Sequence, residues 1–326
     1  MKNLEVNYLG LTLKNPIVIS SCGITSKLEH IVELEKAGAG AIVLKSIFEE
    51  QIAGEAQSMR YYTDFASAAD YLAEYTRMHH LNQHVELIKS AKEKCTIPII
   101  ASINCVSAGE WTAFAKEIEK AGADALELNI FLLPLDKESD TDDIEREYLG
   151  TVAQVCEAVK IPVAVKIGPN FMNIPHIVQE LYNRGAKGVV MFNRFFEPDI
   201  DVTDMKMKSA GVFSDPSEIR QVLRWLAIAS SRVKTVDYAA TTGIHDGEAV
   251  VKALLAGAKV AEICTAVYQN GNGVILEMQE YLSRWMTDHM FVRVEDFVGK
   301  MNYAKVTNPL AYERTQFMRY FSDREA

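Results

Sequence analysis

Polar residues recur at the ends of short apolar runs: Ser21 and Cys22, Lys45 and Ser46, Asn104, Asn129, Lys166, Asn193, Thr242 and Gly243, Cys264 and Thr265. One lysine or asparagine at such a place is usually a solvated side chain. Two lysines and three asparagines closing successive apolar runs mean more, because a solvated rim would carry more Asp, Glu and Lys and fewer amides. Fixed donors and acceptors with two cations among them suit a polar, planar, partly anionic ligand. Thr241-Thr242-Gly243-Ile244 supplies a glycine turn, and Asp246-Gly247-Glu248 after it reads as a helix start. A glycine turn feeding a helix presents free backbone N–H groups to an anion. Cys264-Thr265-Ala266 adds an amide and a hydroxyl, so these two segments read as a phosphate site.

The elements that position these residues repeat along the chain. Eight short β-rich runs occur at 17–21, 41–46, 97–103, 125–129, 162–167, 188–193, 235–240 and 260–265. Each is nearly continuous in apolar residues, as parallel strands buried on both faces require. Helical spacing lies between them, as in Trp111, Phe114 and Ile118 or Val152, Val155 and Val159. Glu-Lys-Ala-Gly precedes the second and fourth runs, Asn-Arg-Gly the sixth and Leu-Ala-Gly the eighth. There a helix is expected to end in a left-handed residue. The third and fifth runs open with Pro98 and Pro162, which stop the preceding helix. Eight such units predict one closed (β/α)8 TIM barrel over 1–300, followed by an extension, 301–326, that packs on the barrel or on a dimer partner. An open doubly wound sheet has the same rhythm with fewer strands, and no G-x-G-x-x-G follows any run. Long connections at 47–80, 130–147 and 194–216 leave from strand C-terminal ends, where barrel active sites lie, and read as site walls.

Composition sets outer limits. The 326 residues carry a net charge of −10, which repels nucleic acid. Apolar residues make up 48% of the chain, enough for a large core, yet no apolar run approaches the length of a membrane span. Met1-Lys2-Asn3-Leu4-Glu5 lacks the apolar stretch of a signal peptide, so a cytoplasmic protein is expected. The five cysteines form no C-x-x-C pair, which argues against disulfides and a structural metal.

In order and spacing these residues resemble the dihydroorotate dehydrogenase family, especially its soluble class. The likeness spans residues 6–300 and rests on Leu11-Thr12-Leu13-Lys14-Asn15-Pro16, Val43-Leu44-Lys45-Ser46, Ala101-Ser102-Ile103-Asn104 and Leu126-Glu127-Leu128-Asn129. It continues through Val163-Ala164-Val165-Lys166, Phe192-Asn193, Thr241-Thr242-Gly243-Ile244, Cys264-Thr265-Ala266 and Asp296-Phe297-Val298-Gly299-Lys300. That family carries FMN at the barrel mouth and oxidises dihydroorotate to orotate in pyrimidine biosynthesis. The resemblance implies that Lys45 and Lys166 contact the flavin ring and ribityl chain, where a cation stabilises the reduced form. It places Ser21, Cys22, Ser46 and Asn104 among the cofactor contacts, and Asn129 and Asn193 between flavin and substrate. Thr242, Gly243, Cys264 and Thr265 would hold the phosphate, with Thr242 and Cys264 standing where the family has glycine. A homodimer follows by analogy.

The substrate half departs from the family. Where the family has Ser-Cys-Pro-Asn after the strand-four Asn, this chain reads Ile130-Phe131-Leu132-Leu133-Pro134-Leu135. The base position falls on Leu132 or Leu133, and neither accepts a proton. A substitute could come from Cys105, Tyr61, Tyr62, His79 or His80. Alternatively Arg194, with Phe131, Phe195 and Phe196, could line a pocket for a different anion. A third course keeps the scaffold with little activity. Outside the flavin class stands a Schiff-base aldolase using Lys45 or Lys166.

Overall fold

The computed structural model describes residues 2–48, 66–104, 108–130, 136–138, 140–195 and 197–313. An antiparallel hairpin opens the chain, β1 (Val6–Tyr8) against β2 (Leu11–Leu13). The strands that follow are β3 (Ile17–Ile19), β4 (Ala41–Val43), β5 (Ile47–Phe48), β6 (Ile99–Asn104), β7 (Ala125–Asn129) and β8 (Val163–Ile167). They continue with β9 (Gly188–Met191), β10 (Pro198–Asp201), β11 (Lys206–Ser209), β12 (Asp237–Thr241) and β13 (Val260–Ile263). Eight of them pair in parallel in the order β3, β4, β6, β7, β8, β9, β12, β13, and β13 returns to β3. The predicted (β/α)8 barrel is therefore closed, and its strands fall within or a residue beyond the eight runs.

The local physics follows the expected lines. Ile17–Ile19 and Val163–Ile167 are buried at every position, since helices cover one face and the barrel interior the other. The helix Ile174–Asn183 buries Ile174, Ile177, Val178 and Leu181, one face at helical spacing. Gly38, Gly122, Gly185 and Gly257 all have positive φ at the helix-to-strand turns, as the repeated punctuation required.

Three elements were not legible. The helix Ala66–Lys94 begins inside the long connection after the second run. The 66–80 stretch holds alanine, leucine and glutamate with no glycine or proline, so it extends the crossover helix. The hairpin β10–β11 lies in the connection after the sixth run, and most of it is exposed, so it has no alternating apolar signature. The hairpin β1–β2 closes the N-terminal end of the barrel. Leu9 donates its amide to Asp237 Oδ2 at 2.8 Å, and its side chain lies against Gly188 at the start of β9. Tyr8 is buried beside it.

Past residue 300 the chain packs on the outer helices. Met301 donates to the Leu255 carbonyl at 2.8 Å and Tyr303 to that of Ala227 at 3.0 Å. Phe317, Tyr320 and Phe321 lie outside the described residues. Among the described residues no helix is long and apolar enough to cross a membrane.

Candidate functional site

The barrel interior holds a charged cluster. Lys166 of β8 donates from Nζ to Ser20 Oγ at 3.1 Å, Glu127 Oε1 at 3.3 Å and Glu262 Oε2 at 3.2 Å. Ser20 in turn donates to Glu262 Oε2 at 3.0 Å. All four side chains are buried. Burial pushes the Glu127 carboxyl up to about 8, and the nearby Glu262 charge adds to this against the pull of Lys166. Burial opposes the charge on Lys166, but the two carboxylates outweigh it and hold the ammonium above its ordinary range. Sequence reading found Lys166 and missed both acids. Their signal was a lone glutamate inside a strand buried on both faces, which can only be satisfied within the barrel.

Above this cluster lies a cavity of about 210 Å³ at the C-terminal mouth. Ser21, Lys166, Asn193, Arg194, Thr242, Gly243, Cys264 and Thr265 line it, together with Ser20, Glu262 and Ser214. β7 and β8 stand in register so that Asn129 pairs with Lys166. Asn193 reaches across to donate from Nδ2 to Asn129 Oδ1 at 2.8 Å. Thr242 and Gly243 carry φ of 77° and 74°, consecutive left-handed residues that turn backbone amides toward one side. Thr265 Oγ1 accepts from Ser214 N at 3.2 Å and from Ser214 Oγ at 3.1 Å. Ser214 was not anticipated, and its Oγ also meets His245 Nε2 at 3.0 Å.

The helix expected to receive the phosphate does begin at Gly247, but its first turn is already capped. Asp246 accepts from Ala249 N at 2.8 Å, and Glu248 adds negative charge there. Of the residues expected to hold a phosphate, the left-handed pair Thr242 and Gly243 remains, with Thr265 at the start of the short helix Thr265–Asn270. The Arg194 guanidinium is engaged by Glu218 at 3.0 Å, Glu197 at 3.4 Å and the Val212 carbonyl at 3.2 Å. The Cys22 thiol is pulled down to about 6, first by its hydrogen bond with Cys264 and against its burial, with the Thr25 and Ile24 amides helping. That same contact raises Cys264.

Lys45 and Ser46 face a second cavity of about 500 Å³, shared with His80, Gln83 and His84. Ser21, Ser46 and Ser102 connect the two spaces: Ser21 Oγ meets Ser46 Oγ at 3.1 Å, and Ser46 Oγ meets Ser102 Oγ at 2.7 Å. Asn104 ends β6 opposite Phe48. Among the residues weighed as substitute bases, His80 lies in this cavity, and His79 is exposed and bonded to Gln83 at 2.8 Å. Cys105, Tyr61 and Tyr62, like Leu132, Leu133, Phe131 and Phe196, lie outside the described residues. Phe195 covers Gly168 beside a third, mostly apolar cavity of about 440 Å³ that includes Ile130, Tyr148 and Phe171.

His84 was not singled out from sequence. It is buried, its Nε2 has no hydrogen-bond partner among the described residues, and burial lowers its pKa from 6.5 to about 4. Between those values the unfolded chain binds a proton that the native state refuses. Stability therefore falls as pH drops through that window, by up to roughly 3 kcal/mol. Urea unfolding at successive pH values is expected to show this loss in the wild type and not in His84→Phe. An unchanged acid-side slope in the variant would remove His84 as its source.

Comparison with known proteins places this geometry in context. The chain matches the family profile described as Dihydroorotate dehydrogenase over residues 3–286. A relative from Thermoplasma volcanium, Dihydroorotate dehydrogenase B (NAD(+)), catalytic subunit, is 26% identical over 312 residues, covering 92% of this chain and 98% of its own. The protein of the same description from Pyrococcus abyssi is 28% identical over 304 residues, covering 91% and 98%. One from Bacillus thuringiensis is 28% identical over 276 residues, covering 82% and 86%.

Proposed function

The chain belongs to the dihydroorotate dehydrogenase family, and we propose that it is an FMN-dependent oxidoreductase of that type, acting on a small planar anion at the barrel mouth. The observation that carries this reading is one cavity lined by Lys166, Ser21, Asn193, Thr242, Gly243 and Thr265. Its donor set fits the cofactor: a buried ammonium, hydroxyls, an amide and a left-handed backbone pair. Thr242, Gly243 and Thr265 would hold the phosphate through amides and a hydroxyl. Lys166 and Lys45 would set positive charge against the ring and ribityl chain. When bound, FMN supplies the two-electron acceptor that the side chains lack.

Asn129 and Asn193 have their amides fixed by one another, so they can orient the carbonyl and N–H edges of a planar substrate. The proton released on oxidation needs an acceptor, and the family position is leucine here. His80 is our choice, because it lines a cavity with Lys45 and Ser46. The relatives named above are catalytic subunits described with NAD(+). An electron path to NAD(+) from this chain would run through another subunit, since no dinucleotide fingerprint follows a strand. We further propose a cytoplasmic homodimer.

Dihydroorotate is the first substrate to test. A different small anion is favoured by the leucine at the base position, although the Arg194 guanidinium is already taken by two glutamates and is not the group that would bind it. The aldolase reading loses support at Lys166: a Schiff-base lysine needs a lowered pKa, and this one is raised by its carboxylates. An anaerobic visible spectrum of the purified protein, before and after dihydroorotate, tests the proposal. We expect an oxidised flavin spectrum that bleaches. A flavin spectrum that persists points to the other anion. A colourless protein that takes up no added FMN overturns the flavin reading.

A further inference from the structure

We propose that Glu127, Glu262 and Lys166 together hold one exchangeable proton beneath the cofactor, and that two-electron reduction of bound FMN draws a proton into this cluster. The inference rests on the FMN reading above. Its geometric basis is two carboxylates within 3.3 Å of one ammonium, all buried. One cation can neutralise one of them. Two buried carboxylates bonded to the same ammonium do not both ionise readily, so the second keeps a proton shared across the pair.

The surrounding groups leave that proton as the one that titrates. In the hairpin, the buried Tyr8 hydroxyl feels the charges of both carboxylates, and burial first, then these charges and that of Asp237, keep it protonated. At the end of β13, Cys264 feels the Lys166 charge, yet its bond with Cys22 and its burial raise it. Ser20 from β3 does not ionise. Lys166 is itself held charged by the two acids. Burial pushes the Glu127 carboxyl up to about 8, so its proton is the one given up as pH rises past that value.

Reduction changes this balance. Oxidation of a substrate would pass two electrons and one proton to bound FMN as a C–H bond breaks, with the second proton going to the base. Held by Lys166, the reduced cofactor would carry one more negative charge. That charge competes for Lys166 and raises the proton affinity of the carboxylates it neutralised. Above about pH 8 a carboxylate therefore takes one proton from solvent, forming an O–H bond. The unit of cofactor and cluster then gains two electrons and two protons, whereas below that pH it gains two electrons and one.

The test is the midpoint potential of the FMN-loaded protein against pH, between about 6.5 and about 9.5, by equilibration with reference dyes. In the wild type the slope is expected to double above about pH 8. In Glu262→Gln it stays single throughout, because Glu127 then faces Lys166 alone and remains ionised. The wild-type apoprotein near neutral pH should also show the infrared carbonyl band of a protonated carboxylic acid, missing from Glu127→Gln. A single wild-type slope, or a doubled slope retained in Glu262→Gln, overturns the proton coupling while FMN binding stands. A missing infrared band overturns the shared proton itself. A protein that shows the band but binds no FMN overturns the flavin reading, and the coupling with it.

Discussion

Lys166→Met is expected to lower the unfolding free energy by about 3–5 kcal/mol near neutral pH, because it leaves two buried carboxylates without their shared cation. The loss should depend on pH in a definite direction. Glu127 binds its proton more tightly in the native state than in the unfolded chain, its value moving from 4.5 to about 8. Over that window the native state carries the extra proton, so its stability falls as pH rises, by up to about 1.4 kcal/mol per unit for each proton retained. In the wild type Lys166 offsets part of this slope. In Lys166→Met that offset is gone, so the variant approaches wild-type stability at low pH, where Glu127 is protonated, and falls away above it. Urea unfolding at about pH 5 and about pH 8 checks this. An equal loss at both values would mean that Lys166 contributes packing and not charge. Adding Glu262→Gln should restore part of the loss at the higher pH, since it removes one of the stranded charges.

The barrel was legible because its grammar is local. Each strand had to be nearly continuous in apolar residues, a signal that stands in the sequence eight times, and six of these runs follow a left-handed glycine or open on a proline stop. The polar strand ends were legible for the same reason: Lys166, Asn193, Thr242 and Thr265 interrupt apolar runs, and closure of the barrel brings them to one cavity. Glu127 and Glu262 interrupt such runs as well, but Glu127 sits two residues before Asn129, and Glu262, the partner of Thr241, sits two residues before Cys264, both deeper in the barrel. What they do depends on which strands become neighbours across the interior, and periodicity along one strand carries nothing about that. His84 was hidden differently. It lies in a long helix with little amphipathic contrast, and only its burial at the cavity it shares with Lys45 and Ser46 gives it meaning. Asp246 reads equally well as a helix start and as a phosphate neighbour, and its own side chain decides for the cap.

The residues we propose for the cofactor and those we propose for the substrate are built on different supports. Lys166, Asn129 and Thr241 stand on strands, and Thr242 and Gly243 follow one directly, so their positions are fixed by barrel register. Arg194 and Ser214 belong to the connection after β9, and His80 to the helix that follows the long connection after β5. Substitution in such connections re-shapes a pocket without disturbing the barrel. A chain can therefore keep the family's ligand scaffold on its strands while its loops bring different side chains to the substrate.

Gly243→Ala tests the strand-borne half most severely. Gly243 has φ of +74°, and a Cβ there would stand 2.3 Å from Ile219 N, 3.0 Å from Ile219 Cα and 3.1 Å from the Glu218 carbonyl carbon. All three are backbone atoms, so no side chain can swing aside. The left-handed conformation alone costs a residue with a Cβ roughly 1–2 kcal/mol. The overlap must also push the turn away from the start of the helix Ile219–Arg232. We expect a total stability loss of about 2–4 kcal/mol and at least about a hundredfold weaker FMN binding, because the displaced amides belong to the turn assigned to the phosphate. Gly10→Ala separates the two causes. Gly10 has φ of +77° in the hairpin on the barrel floor, and nothing lies within 4 Å of its added Cβ. That variant should lose only the conformational part of the stability and keep its FMN affinity. Flavin fluorescence titration beside urea unfolding reads both quantities in both proteins. Should Gly243→Ala lose stability yet bind FMN within about twofold of the wild type, the turn would be a packing feature and the phosphate would have to be held at Thr265 alone.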